Sequence, residues 1–143
     1  EGALNTIIEA GGNKHHPRDT PYSPAAYGFK MDGRKLLKLA NKHLEEFIAE
    51  FLSNDITPQE LGWIVPHQAS KLGLRMLKSL PMIDSLKVID KLASHGNLIA
   101  ASVPLTLISA IEDGQVRQGD NCFLIGTAAG MSISGLLFKY TSS

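Results

Sequence analysis

The stretch Trp63–Ser70, with the sequence WIVPHQAS, sets the architecture of this 143-residue chain. Its first three residues are apolar and predict a short buried strand, which Pro66 ends. A helix is predicted to follow over Ser70–Leu80, because apolar residues recur there at helical spacing and Pro81 closes the segment. A strand that passes directly into a helix is the first half of a β-α-β unit, so we expect a parallel sheet.

Strands and helices continue to alternate after this helix. The pattern predicts a strand over Leu86–Ile89, a helix over Leu98–Glu112, strands over Cys122–Ile125 and Met131–Tyr140, and the turn Gly126–Gly130. Such alternation implies parallel strands joined by helical crossovers, with the last strand returning as an antiparallel hairpin. The predicted fold class is α/β, with a mixed, mostly parallel sheet and flanking helices.

The N-terminal part contains one element that the pattern predicts clearly. Apolar residues recur every three or four positions over Leu36–Leu52, which is typical of an amphipathic helix. A short strand is predicted upstream over Ala3–Ala10, followed by a long loop over Asn13–Tyr27 that has no periodicity. Thr57 and Glu60 stand at capping-box spacing, which predicts one short turn of helix before the strand.

Composition and charge narrow the class of protein. A chain with 43% hydrophobic and 20% charged residues can bury the core of one compact domain, and its formal net charge of +0 argues against a dedicated nucleic-acid binder. No apolar run reaches the roughly 18 residues that span a bilayer, and no signal peptide is recognised, so we expect a cytoplasmic protein. The single cysteine, Cys122, excludes an intrachain disulfide. Because the first residue is Glu1 rather than methionine, we expect a piece of a longer polypeptide.

Two polar residues follow successive predicted strands at the same edge of the sheet. His67 comes directly after the strand that begins at Trp63, and Asn97 lies a few residues after the next strand, thirty positions on. This spacing is about the length of one β-α-β unit, and ligands of open α/β sheets bind at the carboxyl ends of strands. The turn Gly126–Gly130 follows a third strand and offers approachable backbone N–H groups. His67 and Asn97 are therefore predicted to converge as hydrogen-bond donors.

Three stretches of the sequence carry a family likeness. They are Trp63–Ala69, His95–Asn97 with the following Ala100–Pro104, and the glycine-containing hairpin near the end of the chain. In order and spacing they resemble the C-terminal half of the 3-oxoacyl-[acyl-carrier-protein] synthase III family, and the likeness covers nearly the whole chain. It implies a thiolase-like fold, in which two similar halves form a layered αβαβα structure around a Cys-His-Asn site. Residues 1–143 would then be the C-terminal domain of such an enzyme.

The resemblance assigns roles to individual positions. His67 matches the catalytic histidine of the family and Asn97 its catalytic asparagine, while the backbone N–H of Ala129 matches a donor of the oxyanion hole. Family members usually have glycines at Ala128 and Ala129, so the added methyl groups are expected to narrow the acyl pocket. The positions that match contacts with carrier protein, pantetheine or coenzyme A are Gly33, Arg34, Gln68, Ala69, Ser70, Lys71 and Leu72.

The activity that the resemblance implies is decarboxylative condensation of an acyl thioester with malonyl-[acyl-carrier-protein], which initiates fatty-acid or polyketide synthesis. Coenzyme A and phosphopantetheine thioesters are the expected substrates, with no tightly bound cofactor and no metal. The expected partners are acyl carrier protein, acyl-CoA, the N-terminal half of the enzyme and, at full length, a second copy in a homodimer. Neither nucleic acid nor a membrane is an expected partner.

The nucleophile of such a site is not expected within these residues. Cys122 lies in an apolar predicted strand with no basic neighbour or helix N-terminus to lower its pKa, so we predict a structural cysteine. The resemblance places the nucleophilic cysteine of the family in the N-terminal half. We therefore expect the chain to be one half of a divided site and to be inactive alone.

Basic residues cluster in two places. They are Arg34, Lys35, Lys38 and Lys42 at the start of the long predicted helix, and Lys71, Arg75 and Lys78 on one face of the helix after His67. These seven of the fourteen basic residues would suit an acidic carrier protein or the phosphates of coenzyme A, so Lys38 and Arg75 join the predicted binding residues. A solvated helix face is the simpler alternative interpretation.

Other interpretations of the histidines and of the function stay open at this point. A lone histidine at a strand end is usually structural, and the pairing with Asn97 favours catalysis. His95 is expected to be a turn residue that orients Asn97, and the adjacent His15 and His16 indicate a metal site only weakly, because such pairs in loops rarely make a defined site. The alternative functions are acyl transfer without condensation and a non-catalytic half-domain that binds a carrier protein.

Overall fold

A computed structural model describes residues 2–19 and 21–141 of the chain, apart from the side chains of residues 53–55. The fold divides into two compact units. The first holds the residues up to Ala40 together with Ala128–Ser132, and the second holds Asn41–Thr127 and the residues from Ile133 onward. The second unit carries both residues that are predicted to be catalytic. The assignment of residues 1–143 to one C-terminal domain stays a prediction.

The first unit contains a small antiparallel ribbon. Strand β1 (Thr6–Ile7) pairs with β2 (Lys30–Met31), and a 3-10 helix over Ala3–Asn5 precedes β1. The strand predicted over Ala3–Ala10 is confirmed only at its centre, because β2 offers two residues for pairing. Helix α1 (Pro24–Tyr27) lies in the predicted loop and starts on a proline, whose fixed φ suits the first helical position.

Helix α2 (Gly33–Asp55) confirms the helix predicted from apolar spacing. It begins after Asp32, whose Oδ1 accepts a hydrogen bond of 3.0 Å from the backbone N–H of Lys35. This bond lowers the pKa of the Asp32 carboxyl. Ile48 and Leu52, in the later turns, are buried in the core of the second unit. None of the helices in the described part of the chain has the length and apolar character needed to cross a bilayer.

Within the described residues, a three-stranded sheet lies at the centre of the second unit. Its order is β3 (Trp63–Pro66), β4 (Asn121–Ala128) and β5 (Ser132–Lys139). β3 and β4 run parallel, with Ile64 opposite Phe123, while a tight turn joins β4 to β5 in a hairpin. The predicted parallel pairing with a C-terminal antiparallel hairpin is therefore confirmed.

The residues of the sheet alternate between two cores. Phe123 faces one side, where it packs with α2 and is close to α3 (Lys71–Lys78), whereas its neighbour Cys122 faces the other side beneath α5 (Ser102–Glu112). Helices thus cover both faces, which is how parallel strands are normally buried. The first core includes Leu44, Ile48, Leu52, Ile64, Leu77, Phe123 and Ile125, and the second includes Val65, Ile89, Ala110, Val116 and Cys122.

The strand predicted over Leu86–Ile89 is wrong in extent. Residues Ser85–Lys87 form a 3-10 helix, and among the described residues only Val88 of this segment bridges to β3. The Oδ1 of Asp84 accepts a hydrogen bond of 3.0 Å from the N–H of Leu86 and stabilises the 3-10 turn. Such a local bond from a side chain to the backbone competes with pairing in a sheet.

The turn predicted over Gly126–Gly130 is shorter than expected. β4 continues through Ala128, so the chain reverses at residues 129–131. Gly126 has an ordinary negative φ and open space around it, so nothing at that position forces a turn. Gly130 has φ 106°, a conformation that favours glycine, and it lies in the turn itself.

Gly135 of β5 lies against the buried ring of Phe123, and this contact predicts a defect in stability. A Cβ atom at Gly135 would stand 2.6 Å from Cε2 of Phe123. That ring is fully buried and packs against Phe51 with 5.0 Å between ring centroids, so it has little room to move. We expect Gly135→Ala to lower the free energy of unfolding by about 1–3 kcal/mol, measured by urea denaturation.

Gly126→Ala is the matched control, because no atom lies within 4 Å of a Cβ built at Gly126 in β4. It should change the free energy of unfolding much less than Gly135→Ala does. Equal losses in the two variants would show that the contact with Phe123 is not the cause.

Candidate active site

His67 lies at the exit of β3, immediately after Pro66. Its backbone N–H donates a hydrogen bond of 2.8 Å to the carbonyl of Ile125, which extends the ladder between β3 and β4 by one residue. The imidazole is half-buried, and this desolvation lowers the pKa of His67 below its ordinary value of 6.5. The ring is therefore neutral at pH 7 and keeps one N–H to donate.

Asn97 follows helix α4 (Leu92–His95), and its side chain is held by two backbone groups. Its Oδ1 accepts a hydrogen bond of 2.9 Å from the N–H of Ile99, and its Nδ2 lies 3.5 Å from the carbonyl oxygen of Ala69. The first bond identifies the oxygen end of the amide, so the NH₂ group lies on the side of Ala69. Because Ala69 is two residues after His67, the structure brings the predicted pair into one small region.

The backbone around Asn97 takes two left-handed conformations. Gly96 has φ 69°, which glycine adopts readily, whereas Ile99 has φ 54°, which a β-branched residue rarely adopts. Such a residue costs on the order of 1–3 kcal/mol and persists where its surroundings hold it. The bond from Ile99 to the Asn97 amide and a bond of 2.9 Å from the N–H of Leu98 to the hydroxyl of Ser102 hold it here. The hydrogen bond that orients the Asn97 amide therefore also holds the backbone turn that follows it.

His95 is not the residue that holds the Asn97 amide. It ends α4, and its Nε2 lies 3.5 Å from the hydroxyl oxygen of Ser109 on α5. Its Nδ1 is buried without a hydrogen-bond partner among the described residues. The backbone groups of Ile99 and Ala69 orient Asn97 instead, so the role expected for His95 is wrong.

Gln68 is fully buried, with 0% of its surface exposed. Its Nε2 donates hydrogen bonds to the carbonyls of Pro66 at 2.9 Å and Ile89 at 3.2 Å, and its Oε1 accepts one of 3.1 Å from the N–H of Lys91. The side chain is thus engaged inside the protein rather than presented to a partner. Its assignment to the carrier-protein segment stays a prediction, and nothing in the neighbouring sequence indicates that its side chain binds three backbone groups inside the protein.

The rest of the predicted binding segment is accessible. Ala69, Ser70, Lys71 and Leu72 are all exposed. Ser70 also caps α3, because its Oγ accepts a hydrogen bond of 3.1 Å from the N–H of Gly73. This confirms the helix start predicted at this position, although α3 ends at Lys78 rather than at Leu80.

A groove of about 360 Å³ opens beside α3. Its lining consists of Lys71, Leu74, Arg75, Lys78, Asp90, Leu92 and Ala93. Lys71 and Arg75 are exposed, whereas the Nζ of Lys78 lies 2.9 Å from Oδ2 of Asp90. The hydrogen bond from that ammonium lowers the pKa of the Asp90 carboxyl. With three cations and one paired carboxylate, the groove is positively charged over an apolar base.

The remaining predicted site residues lie in the first unit. Gly33, Arg34 and Lys38 lie in the first turns of α2 and are exposed. Ala129 is exposed in the turn that follows β4. Their roles in binding pantetheine or coenzyme A and in the oxyanion hole stay predictions.

Cys122 lies in the interior of the second unit. Its side chain is 0% exposed, and it belongs to the core beneath α5. Burial, together with the charge of Asp120, raises the pKa of the Cys122 thiol to about 11. A thiol that stays protonated at pH 7 is a poor nucleophile, so these surroundings suit the structural role predicted for it.

The adjacent His15 and His16 lie in an exposed loop of the first unit. The Nδ1 of His16 accepts a hydrogen bond of 3.1 Å from the N–H of Arg18. In residues 2–19 and 21–141, no group of three or more histidine, cysteine, aspartate or glutamate side chains is placed to hold a metal ion.

Comparison with known sequences relates the chain to one family. Residues 52–140 match the family model described as 3-oxoacyl-[acyl-carrier-protein (ACP)] synthase III C terminal. The chain is 32% identical over 143 residues to a beta-ketoacyl-[acyl-carrier-protein] synthase III of Rhodospirillum rubrum, covering 96% of this chain and 44% of that protein. The chain spans less than half the length of the curated relatives that it matches.

Solved structures share the fold. The 3-oxoacyl-[acyl-carrier-protein] synthase III from Aquifex aeolicus VF5 superposes with a TM-score of 0.76 at 28% identity, covering 98% of this chain and 42% of that one. The corresponding structure from Pseudomonas aeruginosa PAO1 gives a TM-score of 0.79 at 24% identity, covering 96% and 41%. The predicted thiolase-like α/β fold is therefore confirmed.

The lowered pKa of His67 predicts a dependence of stability on pH. Below 6.5 the unfolded chain takes up a proton on His67 that the folded chain takes up only at lower pH. The contribution of His67 is therefore present above pH 6.5 and is lost as the pH falls from 6.5 through the lowered pKa. Urea denaturation between pH 7.5 and 5 should show this loss, and His67→Gln should flatten that part of the profile. An NMR titration that places the midpoint of the His67 ring at or above 6.5 would contradict the prediction.

Proposed function

The chain belongs to the 3-oxoacyl-[acyl-carrier-protein] synthase III family, matching its C-terminal part, and from this premise we propose that it serves in decarboxylative condensation of an acyl thioester with malonyl-[acyl-carrier-protein]. In the cell this reaction would initiate fatty-acid or polyketide synthesis. The chain supplies the histidine and asparagine of a Cys-His-Asn site. The observation that carries the proposal is the Asn97 amide, whose Nδ2 lies 3.5 Å from the carbonyl oxygen of Ala69, two residues after His67.

The reaction places its main electrostatic demand on one oxygen atom. Decarboxylation of the malonyl thioester breaks the bond to the carboxylate carbon, releases CO₂ and leaves the electron pair as an enolate. The thioester oxygen then carries the negative charge, and donors that are fixed in place before the charge appears stabilise it best. The enolate carbon attacks the carbonyl carbon of an acyl-cysteine, and the cysteine thiolate leaves when the tetrahedral intermediate collapses.

His67 and Asn97 supply these donors. The neutral imidazole donates from Nε2–H, and burial keeps it neutral at pH 7 by lowering its pKa. The Asn97 oxygen is occupied by the N–H of Ile99, so its NH₂ group is the part left to face a thioester oxygen. Neither donor carries a net charge, so neither forms an ion pair that would hold the carboxylate of the substrate. Stabilisation is therefore concentrated on the enolate.

The cysteine that holds the acyl group comes, in this proposal, from outside these 143 residues. Cys122 does not serve, because it is buried in the core and the pKa of its thiol is about 11. A part that brings a cysteine to Asn97 would cover apolar side chains that are exposed nearby in the sequence and on α5. They are Leu98, Ile99, Leu105 and Ile108. The chain alone is then expected to have no condensing activity, and the whole protein to act as a homodimer.

The groove beside α3 supports a phosphopantetheine substrate on an acidic carrier protein or on coenzyme A. Lys71 and Arg75 are exposed at its rim, within eight residues of His67 along the chain. Exposed cations of this kind steer and hold anionic partners. The same groove also supports the second candidate, a non-catalytic half-domain that binds a carrier protein. Binding of a carrier protein in the groove does not require His67. Acyl transfer without condensation would use the same two donors, and product analysis separates it from condensation.

Removing either donor should reduce condensation sharply. We expect His67→Ala and Asn97→Ala each to lower the rate of malonyl-dependent condensation by about 10²- to 10³-fold, which is typical for the loss of one oxyanion donor. The measurement is incorporation of labelled malonyl carbon into product by the enzyme assembled from this chain and its cysteine-bearing part.

His15→Ala and Asn41→Ala are matched controls, because both residues are exposed and neither belongs to the groove lining or to the predicted site residues. They should retain the rate of the unchanged protein. Full condensing activity in both His67→Ala and Asn97→Ala would refute the proposal and leave the carrier-binding candidate.

Charge reversal in the groove should weaken the carrier interaction. We expect Lys71→Glu and Arg75→Glu each to raise the Kd for holo-acyl carrier protein by about three- to tenfold, with the difference shrinking at high salt. Isothermal titration calorimetry at low and high ionic strength measures this. Lys139→Glu, on β5 and outside the groove lining, is the control for a general change of charge. An equal effect of Lys139→Glu would show that the groove is not the binding surface.

A further inference from the structure

The edge of the sheet beside β3 is interrupted where Pro66 ends the strand. The N–H of Ile89 donates a hydrogen bond of 2.9 Å to the carbonyl of Ile64, and Val88 forms a parallel bridge with Ile64. A continuing parallel ladder would next pair the N–H of residue 66 with the carbonyl of Ile89, and the carbonyl of residue 66 with the N–H of Lys91. The first of these bonds cannot form, because proline has no N–H.

The side-chain amide of Gln68 takes the place of the missing backbone pairing. Its Nε2 donates to the carbonyl of Ile89 at 3.2 Å, which is the acceptor that Pro66 leaves unpaired, and to the carbonyl of Pro66 itself at 2.9 Å. Its Oε1 accepts a hydrogen bond of 3.1 Å from the N–H of Lys91. Both N–H bonds and the oxygen are therefore used, and the amide lies between the two backbones like an inserted peptide group.

We propose that Gln68 is a positioning residue, which holds the segment that leads to Asn97 against the strand end that carries His67. The inference rests on the proposed function of those two residues. Gln68 touches neither substrate nor the reacting atoms and acts through the backbone on both sides of it. A fully buried amide is costly unless its hydrogen bonds are made, so its three bonds have to form when the protein folds.

The segment from Ile89 to Asn97 is then anchored at both ends on the same short turn. At its beginning Gln68 binds Ile89 and Lys91, and at its end the Asn97 amide lies 3.5 Å from the carbonyl of Ala69. The ion pair of 2.6 Å between Lys91 and Asp113 ties the beginning of the segment to the residue after α5 as well. A shift of Ile89 and Lys91, where Gln68 binds the segment, would therefore displace the Asn97 amide at its other end.

The test replaces Gln68 by residues that keep its volume or its polarity but not its bonds. Gln68→Met, in the enzyme assembled from this chain and its cysteine-bearing part, should lower kcat for condensation by about 10- to 100-fold, because small misplacements of a catalytic group have effects of this size. KM for the malonyl thioester should stay within about twofold, since the binding groove is untouched. Gln68→Asn is the second variant if Gln68→Met does not fold, because its shorter amide is buried but cannot span both backbones, and it should show the same losses.

A spectroscopic readout separates positioning from a general loss of stability. The side-chain NH₂ resonances of Asn97 in ¹⁵N-labelled protein should shift and exchange faster with water in Gln68→Met. Thr106→Val is the matched control, because Thr106 is 1% exposed and its hydroxyl has no hydrogen-bond partner among the described residues. It also replaces a buried polar side chain by an apolar one, and it should leave both the Asn97 resonances and kcat unchanged.

Rescue provides the decisive measurement. Pro66→Ala supplies a backbone N–H that can donate directly to the carbonyl of Ile89, so the double variant Pro66→Ala/Gln68→Met should recover kcat and the Asn97 resonances in part. Unchanged kcat and resonances in Gln68→Met, or losses that Pro66→Ala does not restore, would overturn the proposal. If His67→Ala and Asn97→Ala are fully active, the proposed function fails, and the Asn97 resonances alone then decide whether Gln68 positions that segment.

Discussion

Parallel pairing of β3 with β4 is the interaction on which the rest of the second unit depends. The register sets Trp63–Pro66 against Cys122–Ile125, and the backbone of His67 adds one more bond of 2.8 Å to Ile125. Side chains alternate along each strand, so this register sends Phe123 into one core and Cys122 into the other. Helices then cover both faces of the sheet, and the chain leaves the sheet after His67. One pairing thus decides the packing and the position of the candidate catalytic histidine.

The same strand end shows how polar groups are handled in a largely apolar interior. Gln68 is buried but fully bonded, whereas Asn97 is exposed and held by the N–H of Ile99. Charged groups are kept outside this centre, at the groove beside α3, where Lys78 pairs with Asp90. Under the proposed function, this arrangement separates two demands of a condensing site. Uncharged, fixed donors suit a developing enolate, and cations at the surface suit an anionic carrier or coenzyme A.

Local hydrogen bonds from side chains explain where the structure differs from what the pattern of apolar residues predicts. The spacing over Leu36–Leu52 predicts α2 well, because an amphipathic stripe of this length has few alternatives. Only one half of the predicted capping box forms between Thr57 and Glu60, with the Glu60 carboxylate accepting at 3.0 Å from the N–H of Thr57. The Thr57 hydroxyl donates to the same carboxylate at 2.7 Å, and the segment is a turn rather than a helix. The residues over Leu86–Ile89 look like a strand by composition. The cap from Asp84 instead places Leu86 and Lys87 in a 3-10 helix, and Val88 is left to bridge to β3.

The amino-acid sequence by itself determined the α/β class and the order of the main elements, and it indicated His67 and Asn97 as a candidate pair, because periodicity and residue type are local properties of the chain. Only the tertiary structure decided how that pair is held. Gln68 has no local signal that distinguishes a buried amide from a surface one, and its partners Ile89 and Lys91 lie more than twenty positions away. The orientation of Asn97 likewise depends on a carbonyl that comes from another strand end. Hydrogen bonds between distant segments form only when the sheet brings those segments together.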